Sequence, residues 1–363
     1  MFIIAEIGTS HGGNINKAKK LIDCALNAGA DAVKFQWVYA DEILHPNTGY
    51  VTLPGGKIRL YDKYKELEVS PSFFLECKEY AKSKKIKFIC TPFGLKSLKE
   101  LVKINPDYIK IASPELNHIP LLKSLANIRK EKDIPIIISS GVSTLNDIEK
   151  ALSILGNRNI TLLHCVTFYP APEEEYNLKV LKTLSEKFNI PVGVSDHSLN
   201  PVLVPALSFA MGGTMIEKHI TLSKTTDGLD DPVALTEEQF SQMCFCINQC
   251  KALLKRYEEK GIDLIIQQMK DEFSNEVVNK VLGSGEKKLA SIEEQNYGRT
   301  NRSLHFMRDM QKGELIKESD IGILRTEKEL TPGISPEFYD SVINRTLTRD
   351  ISAGEGVQLK DYK

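Results

Sequence analysis

The chain has almost no excess of either charge: 47 Lys and Arg against 48 Asp and Glu leave a formal net charge of −1. That balance argues against nucleic acid or an acidic membrane as partner, so any anion must be met by a local site. Long apolar runs are also missing. Each is soon broken by Gly, Pro or a charge, so no transmembrane helix is expected. The run FIIAEIG, starting at Phe2, already reads as a strand with no basic leader before it, so no signal peptide is expected. Seven cysteines, at 24, 77, 90, 165, 244, 246 and 250, form no CxxC pairs. An odd, unpaired set points to reduced thiols and a cytoplasmic protein. Cys244, Cys246 and Cys250 fall in a helical stretch and read as small buried groups rather than metal ligands.

A chain of 363 residues exceeds what one core usually fills, so one large domain and a smaller one are expected. Short β-branched runs alternate with helical ones, the pattern of a parallel α/β fold. Strands are predicted at 2–6, 31–35, 86–90, 107–111, 134–139, 160–165, 190–194 and 214–218. Helices are predicted at about 15–28, 71–84, 95–104, 119–131, 143–155, 176–188, 199–211 and 236–258. Asn14 and Ser143 suit N-caps, and Thr236 with Gln239 suits a capping box. Eight β/α units within 1–270 predict a (β/α)₈ TIM barrel. An open doubly wound sheet is the alternative, but it has no reason to stop at eight. The polar stretch 271–297 reads as a linker. Residues 298–363, with short strands (SLHFM, GVQL) and turns (KGE, PGISP, AGEG), read as a small β-rich domain. The connection 40–69 is long enough for a lid or substrate loop, or for a tolerated insertion.

Active sites of such barrels lie at the C-terminal strand ends. Every predicted strand carries polar groups there, which would be costly to bury without purpose, at about 1–3 kcal/mol for each unpaired group. Lys34, Thr91, Lys110, Ser113, Ser139 and Ser195 supply two cations and four hydroxyls, a set suited to a small phosphorylated carboxylate. His197 and His219 end neighbouring strands, with Glu6, Glu115, Glu217 and Asp230 as nearby carboxylates. Two imidazoles completed by water and substrate oxygens suit Mn²⁺, Fe²⁺ or Zn²⁺. His11, His45, His118, His164 and His305 read as packed or hydrogen-bonded residues.

The strings AEIGTSHGG, AVKFQ, ICTPF, YIKIASPE, IISSG, HCVTFYPAP, GVSDHS and IEKHITL run in order through the eight strands. Together they resemble the sialic acid synthase family. The stretch from Asn301, NRSLHFMRDMQKGELI…GISPEFYD, is similar to that family's antifreeze-like SAF domain. The resemblance implies condensation of phosphoenolpyruvate with an N-acetylated amino-sugar aldehyde to a nine-carbon 2-keto acid and phosphate. It implies phosphoenolpyruvate on Lys34, Thr91, Lys110, Ser113, Ser139 and Ser195, with both lysines in the catalytic set. It implies a divalent cation, Mn²⁺ first and Mg²⁺ or Co²⁺ as alternatives, on His197 and His219. Glu6 and Glu115 are the catalytic carboxylates it implies, and Gln36, Asn117, Thr167, Tyr169, Glu217 and Asp230 are further substrate contacts. It implies a domain-swapped homodimer in which the small domain's arginine, here Arg325, reaches the sugar. The chain departs from the family pattern in three places: Thr167 stands where many members have Asn, ASPE replaces GSGE, and TEKELT follows Arg325. Competing chemistries are a Schiff-base aldolase using Lys110, another phosphoenolpyruvate-condensing synthase, and non-catalytic sugar binding.

Overall fold

The computed structural model describes residues 1–53, 56–226, 228–327 and 329–363, with the side chains of residues 52, 53 and 56 left aside. Eight parallel strands close into a barrel. They are β1 (Phe2–Gly8), β2 (Ala32–Trp37), β3 (Lys87–Pro92), β4 (Tyr108–Ile111), β5 (Ile136–Ser139), β6 (Ile160–Cys165), β7 (Val192–Asp196) and β8 (Met215–His219). Each strand pairs with its sequence neighbours and β8 returns to β1, the arrangement of a TIM barrel. Around it lie α1 (Ile15–Asn27), α2 (Pro71–Ser83), α3 (Leu95–Ile104), α4 (Ile119–Glu131), α5 (Leu145–Leu155), α6 (Val180–Phe188), α7 (Leu203–Ala210) and α8 (Glu237–Tyr257).

Strand side chains alternate between two faces, so every second residue points into the barrel. The inward positions change character along each strand. At the N-terminal end Ile4, Ala32, Ile89, Ile137, Leu163 and Met215 form an apolar plug. Two residues further on stand Glu6, Lys34, Thr91, Ser139, Cys165 and Glu217. The register sets Glu6 opposite His219 on one side and Lys34 on the other, while Lys34 in turn lies opposite Ile89 and Glu217 opposite Ile4. The outward residues join the helices in the main core. Gly193 is required by this packing, since a Cβ there would come 2.1 Å from the Met215 carbonyl.

Helix starts follow local chemistry. Asn14 Oδ1 accepts the N–H groups of Asn16 and Lys17, and Thr236 forms its capping box with Gln239. The cap of α5 is Thr144 rather than Ser143. The Ser143 hydroxyl donates instead to the Gly141 carbonyl at 2.8 Å. The predicted linker is also more structured than its composition suggests. It contains the end of α9 (Glu259–Phe273), the whole of α10 (Asn275–Leu282) and a 3₁₀ turn at Ser291–Asn296. Val278, Val281 and Leu282 of α10 are buried, which anchors that helix against the barrel.

In connection 40–69, strands Tyr50–Leu53 and Gly56–Arg59 pair antiparallel, and a short helix covers Leu60–Glu66. The small domain is built on β9 (Arg302–Phe306) and β10 (Ile321–Arg325), paired antiparallel around their own apolar core. The GVQL run makes a single bridge, Gly356 to His305, instead of a strand pair. Two arginines brace this domain in matching fashion. Arg308 pairs with Glu314 and Asp320, and Arg349 pairs with Glu355 and Asp361. The domain sits over the barrel mouth of its own chain. The Arg325 N–H donates to the Ile43 carbonyl at 2.9 Å, and Asn47 Nδ2 donates to the Ala353 carbonyl at 3.1 Å. Within the single chain Arg325 thus reaches the barrel mouth.

On the outward face beside the two histidines, Lys218 Nζ lies 2.5 Å from Asp196 Oδ2, both side chains almost fully buried. Tyr176 OH donates to Asp196 Oδ1 and receives the His197 N–H. Replacing Asp196 by Asn strands a buried ammonium, and a loss of about 3–5 kcal/mol is expected in urea unfolding. A loss below about 1 kcal/mol would show that this pair does not hold β7 to β8.

Candidate active site

A cavity of about 390 Å³ opens at the C-terminal rim, beneath the small domain. Its lining includes Glu6, Lys34, Gln36, Thr91, Lys110, Ser113, Ser139, Thr167, Tyr169, Ser195, His197, Glu217, His219, Asp230 and Arg325. Residues from eight strands, the loops after them and the small domain thus meet in one chamber.

Its floor is an ionic lattice. Lys34 Nζ lies 2.8 Å from Glu6 Oε2 and 3.7 Å from Glu217 Oε1. Lys110 Nζ lies 3.6 Å from the same Glu217 oxygen, which also accepts the Ser195 hydroxyl at 3.0 Å. Gln36 Nε2 donates to Glu6 Oε1 at 2.8 Å. Burial favours a neutral Glu217, but the Lys110 and Lys34 charges outweigh it and hold the carboxyl down at about 2. Burial likewise opposes the charge on Lys34, yet Glu217 and Glu6 raise its pKa. For Lys110 burial prevails and the pKa is lowered, in keeping with its more distant carboxylate. The Ser139 hydroxyl is buried without a partner, a donor held ready for a ligand.

His197 and His219 stand side by side, ring centroids 5.8 Å apart. His197 Nδ1 is 2.9 Å from the Val166 carbonyl, which fixes its proton there and leaves Nε2 to face Tyr169 OH at 3.1 Å. The Tyr169 ring stacks on His197 at 4.1 Å. His219 Nδ1 is buried without a hydrogen-bond partner, 3.7 Å from Asp230 Oδ2. Burial lowers the His219 pKa and favours its neutral imidazole, whereas at His197 the neighbouring Cys165 outweighs burial and raises the pKa to about 9. Among the described residues no three His, Cys, Asp or Glu side chains form a metal cluster. A cation here would hold two imidazoles and take its remaining ligands from water and substrate, the arrangement of an open catalytic site.

Two expected residues lie elsewhere. Glu115 is fully buried outside the cavity lining. Its Oε1 accepts Arg302 at 2.8 Å and Arg325 at 2.8 Å, so a carboxylate expected at the chemistry instead holds two guanidinium groups. Asn117 also misses the cavity. It exchanges two hydrogen bonds with the Arg302 backbone, at 2.8 and 2.9 Å, and so docks the small domain. Arg302 carries no local signal in the sequence, yet its guanidinium also donates to the carbonyls of Glu42, Phe93 and Ile323. Thr9, Cys165, Thr300 and Glu327 also line the cavity without having been expected there. Thr9 and Cys165 adjoin recognised strand ends, whereas nothing local marks Thr300 or Glu327. Connection 40–69 contributes Leu60, Tyr64 and Leu67 to one wall, with Val38, Phe93 and Leu229. His11 is packed between Phe35 and Phe73 and its Nδ1 accepts the Gly13 N–H, as a structural histidine would.

Replacing Glu115 by Ala leaves two guanidinium groups without their shared counter-ion. Small-domain docking is expected to weaken by about 3–5 kcal/mol, read as at least tenfold faster tryptic release of residues beyond 297. An unchanged release rate would show that the triad does not hold the domain.

The family model described as "NeuB family" matches residues 21–259, and the SAF domain model matches residues 301–363. Spore coat polysaccharide biosynthesis protein SpsE of Bacillus subtilis is 33% identical, covering 99% of this chain and 93% of that protein. Its crystal structure superposes with a TM-score of 0.79, covering 100% of this chain and 95% of the other. An N,N'-diacetyllegionaminic acid synthase of Campylobacter jejuni is 32% identical, covering 97% of both chains. The N-acetylneuraminic acid synthetase structure of Leptospira borgpetersenii is 30% identical with a TM-score of 0.61, covering 81% of this chain and 89% of that one. With barrel, rim chemistry and terminal domain all in agreement, the chain belongs to the NeuB family of sugar-acid synthases and carries a C-terminal SAF domain.

Proposed function

We propose that this enzyme condenses phosphoenolpyruvate with an N-acylated amino-sugar aldehyde, giving a nine-carbon sialic-acid-type 2-keto acid and phosphate. The observation that carries the reading is the adjacency, in one cavity, of two buried ammonium groups and a set of hydroxyls with a pair of imidazoles. Relatives named as synthases of legionaminic and neuraminic acids support the product class.

The lysines and the hydroxyls of Thr91, Ser113, Ser139, Thr167 and Ser195 suit the carboxylate and phosphate of the donor. The floor already pairs two ammonium groups with two carboxylates, so a multiply charged anion arriving there calls for further positive charge. His197 and His219 would hold a divalent cation, manganese in this reading, which when bound polarises an aldehyde oxygen as a Lewis acid. C3 of the enol ester forms the new carbon–carbon bond, and the aldehyde oxygen gains a proton. Water adds at C2, and the C2–O bond to phosphate breaks. Glu6, kept in place by Gln36 and Lys34, handles the proton of that water. Asp230 and Tyr169 line the acceptor side. The apolar wall of Leu60, Leu67, Phe93 and Leu229 offers a place for an acyl methyl group.

One observation favours a second reading: burial lowers the Lys110 pKa, as a Schiff-base lysine needs. Borohydride trapping with pyruvate, and activity that survives chelators, would support that aldolase.

The condensation reading predicts phosphate release from phosphoenolpyruvate only when an amino sugar is present. It also predicts loss of that activity in chelator and recovery with added manganese. Glu6→Gln is expected to bind phosphoenolpyruvate with near-native affinity by calorimetry while kcat falls about a hundredfold or more. Wild-type turnover by that variant would remove Glu6 from the chemistry. His219→Ala is expected to lose bound metal by elemental analysis, and full retention would rule out the histidine pair as the cation site.

A further inference from the structure

The segment that follows the barrel helices does not simply lead to the small domain. It passes behind the cavity and holds two of its loops. Glu293 is only 1% exposed. Its Oε1 accepts the N–H groups of Val142 at 2.8 Å and Thr167 at 2.7 Å, from the loops after β5 and β6. Its Oε2 accepts the Ala290 N–H at 3.2 Å. Lys287, also buried, donates from Nζ to the Ser140 carbonyl at 3.1 Å. Asn301 Nδ2 donates to the Val142 carbonyl at 2.9 Å. Lys287, Glu293 and Asn301 are all absent from the cavity lining.

The loops they hold are strained and tightly packed. Val142 has φ +42°, a left-handed backbone that a β-branched residue adopts only when its surroundings impose it. Here both its N–H and its carbonyl are tied from the strap. At Gly141 a Cβ would come 2.0 Å from Thr167 Oγ1 and 3.0 Å from Ser113 Oγ, so the two loops meet across the thickness of a glycine. The loop after β6 carries the Thr167 hydroxyl, and the loop after β5 follows directly on Ser139, whose hydroxyl also lines the cavity. The N–H of Thr167 points to Glu293, which leaves its hydroxyl as the donor for a ligand. A buried carboxylate suits this task because two N–H groups converging on one charged oxygen make strong, directional bonds.

We propose that Glu293 is a positioning residue for the phosphorylated substrate: its carboxylate pins the loops after β5 and β6 so that the hydroxyls of Ser139 and Thr167 meet the ligand in fixed geometry. This rests on the cavity being a phosphoenolpyruvate site. Small displacements of such groups weaken binding and alignment without any direct contact being lost.

The test uses the full-length chain with Glu293→Ala and Glu293→Gln. Gln keeps one oxygen able to accept both N–H groups, so it is the conservative rescue. For Glu293→Ala, the KM for phosphoenolpyruvate is expected to rise about tenfold or more with kcat within about threefold, and Gln is expected to recover most of that rise. In the free proteins, amide hydrogen exchange in peptides spanning 139–143 and 165–168 is expected to speed up in the Ala variant while the peptide spanning 2–8 is unchanged. An unchanged KM overturns the proposal. So does exchange that quickens equally throughout the barrel, which would mean general loosening. Should Glu293→Ala not fold, Lys287→Met is expected to raise the same KM about threefold or more, and no rise overturns the proposal. Wild-type protein that never turns over phosphoenolpyruvate contradicts the proposed function instead, and the exchange comparison then decides the pinning alone.

Discussion

Closing a parallel sheet forces alternate residues of every strand into one shared interior, and that constraint organises this molecule. Low in the barrel the shared positions are apolar and make a plug. One step up they are Glu6, Lys34, Lys110 and Glu217, which tolerate burial because they are each other's counter-ions. Glu217 lies between both lysines, so neutralising it leaves Lys110 without a counter-ion. The result is a buried floor whose charges are oriented before any ligand arrives, the condition under which electrostatic stabilisation of a reacting group is most effective.

A second carboxylate performs the equivalent task at the roof. Glu115 binds Arg302 and Arg325 together, and Arg302 spreads its other donors over backbone carbonyls of connection 40–69 and the loop after β3. Barrel, long connection and small domain thus meet at one buried acidic side chain. Arg325 reaches the cavity as a consequence, with its guanidinium 5.3 Å from the Phe93 ring centroid. The roof is also linked along the chain to the loop after β5, since Asn301, which holds the strained Val142, immediately precedes Arg302.

The parts of this design that repeat along the chain could be read from it. The eight strands were legible because β-branched runs recur between helical periods. Lys34, Lys110, His197 and His219 were legible because a charged or ligating group at a strand's end has few structural reasons to be there. Glu115 shares a motif with residues that face the cavity, whereas its pairing with two arginines far along the chain has no local signal. The stretch 271–297 reads as a linker because isolated charges such as Lys287 and Glu293 look solvated until a folded barrel supplies the backbone groups they bind. The choice between Ser143 and Thr144 as cap turned on a local bond to Gly141 that spacing does not encode.

The central claim is that the ammonium pair and the imidazole pair serve one ligand assembly. The most direct measurement is a crystal structure of the chain with phosphoenolpyruvate and manganese, phased to reveal the metal by anomalous scattering. The account predicts the donor's carboxylate and phosphate against Lys34 and Lys110, and a single manganese peak between His197 and His219. Phosphoenolpyruvate bound elsewhere, or manganese held away from both imidazoles, would contradict it.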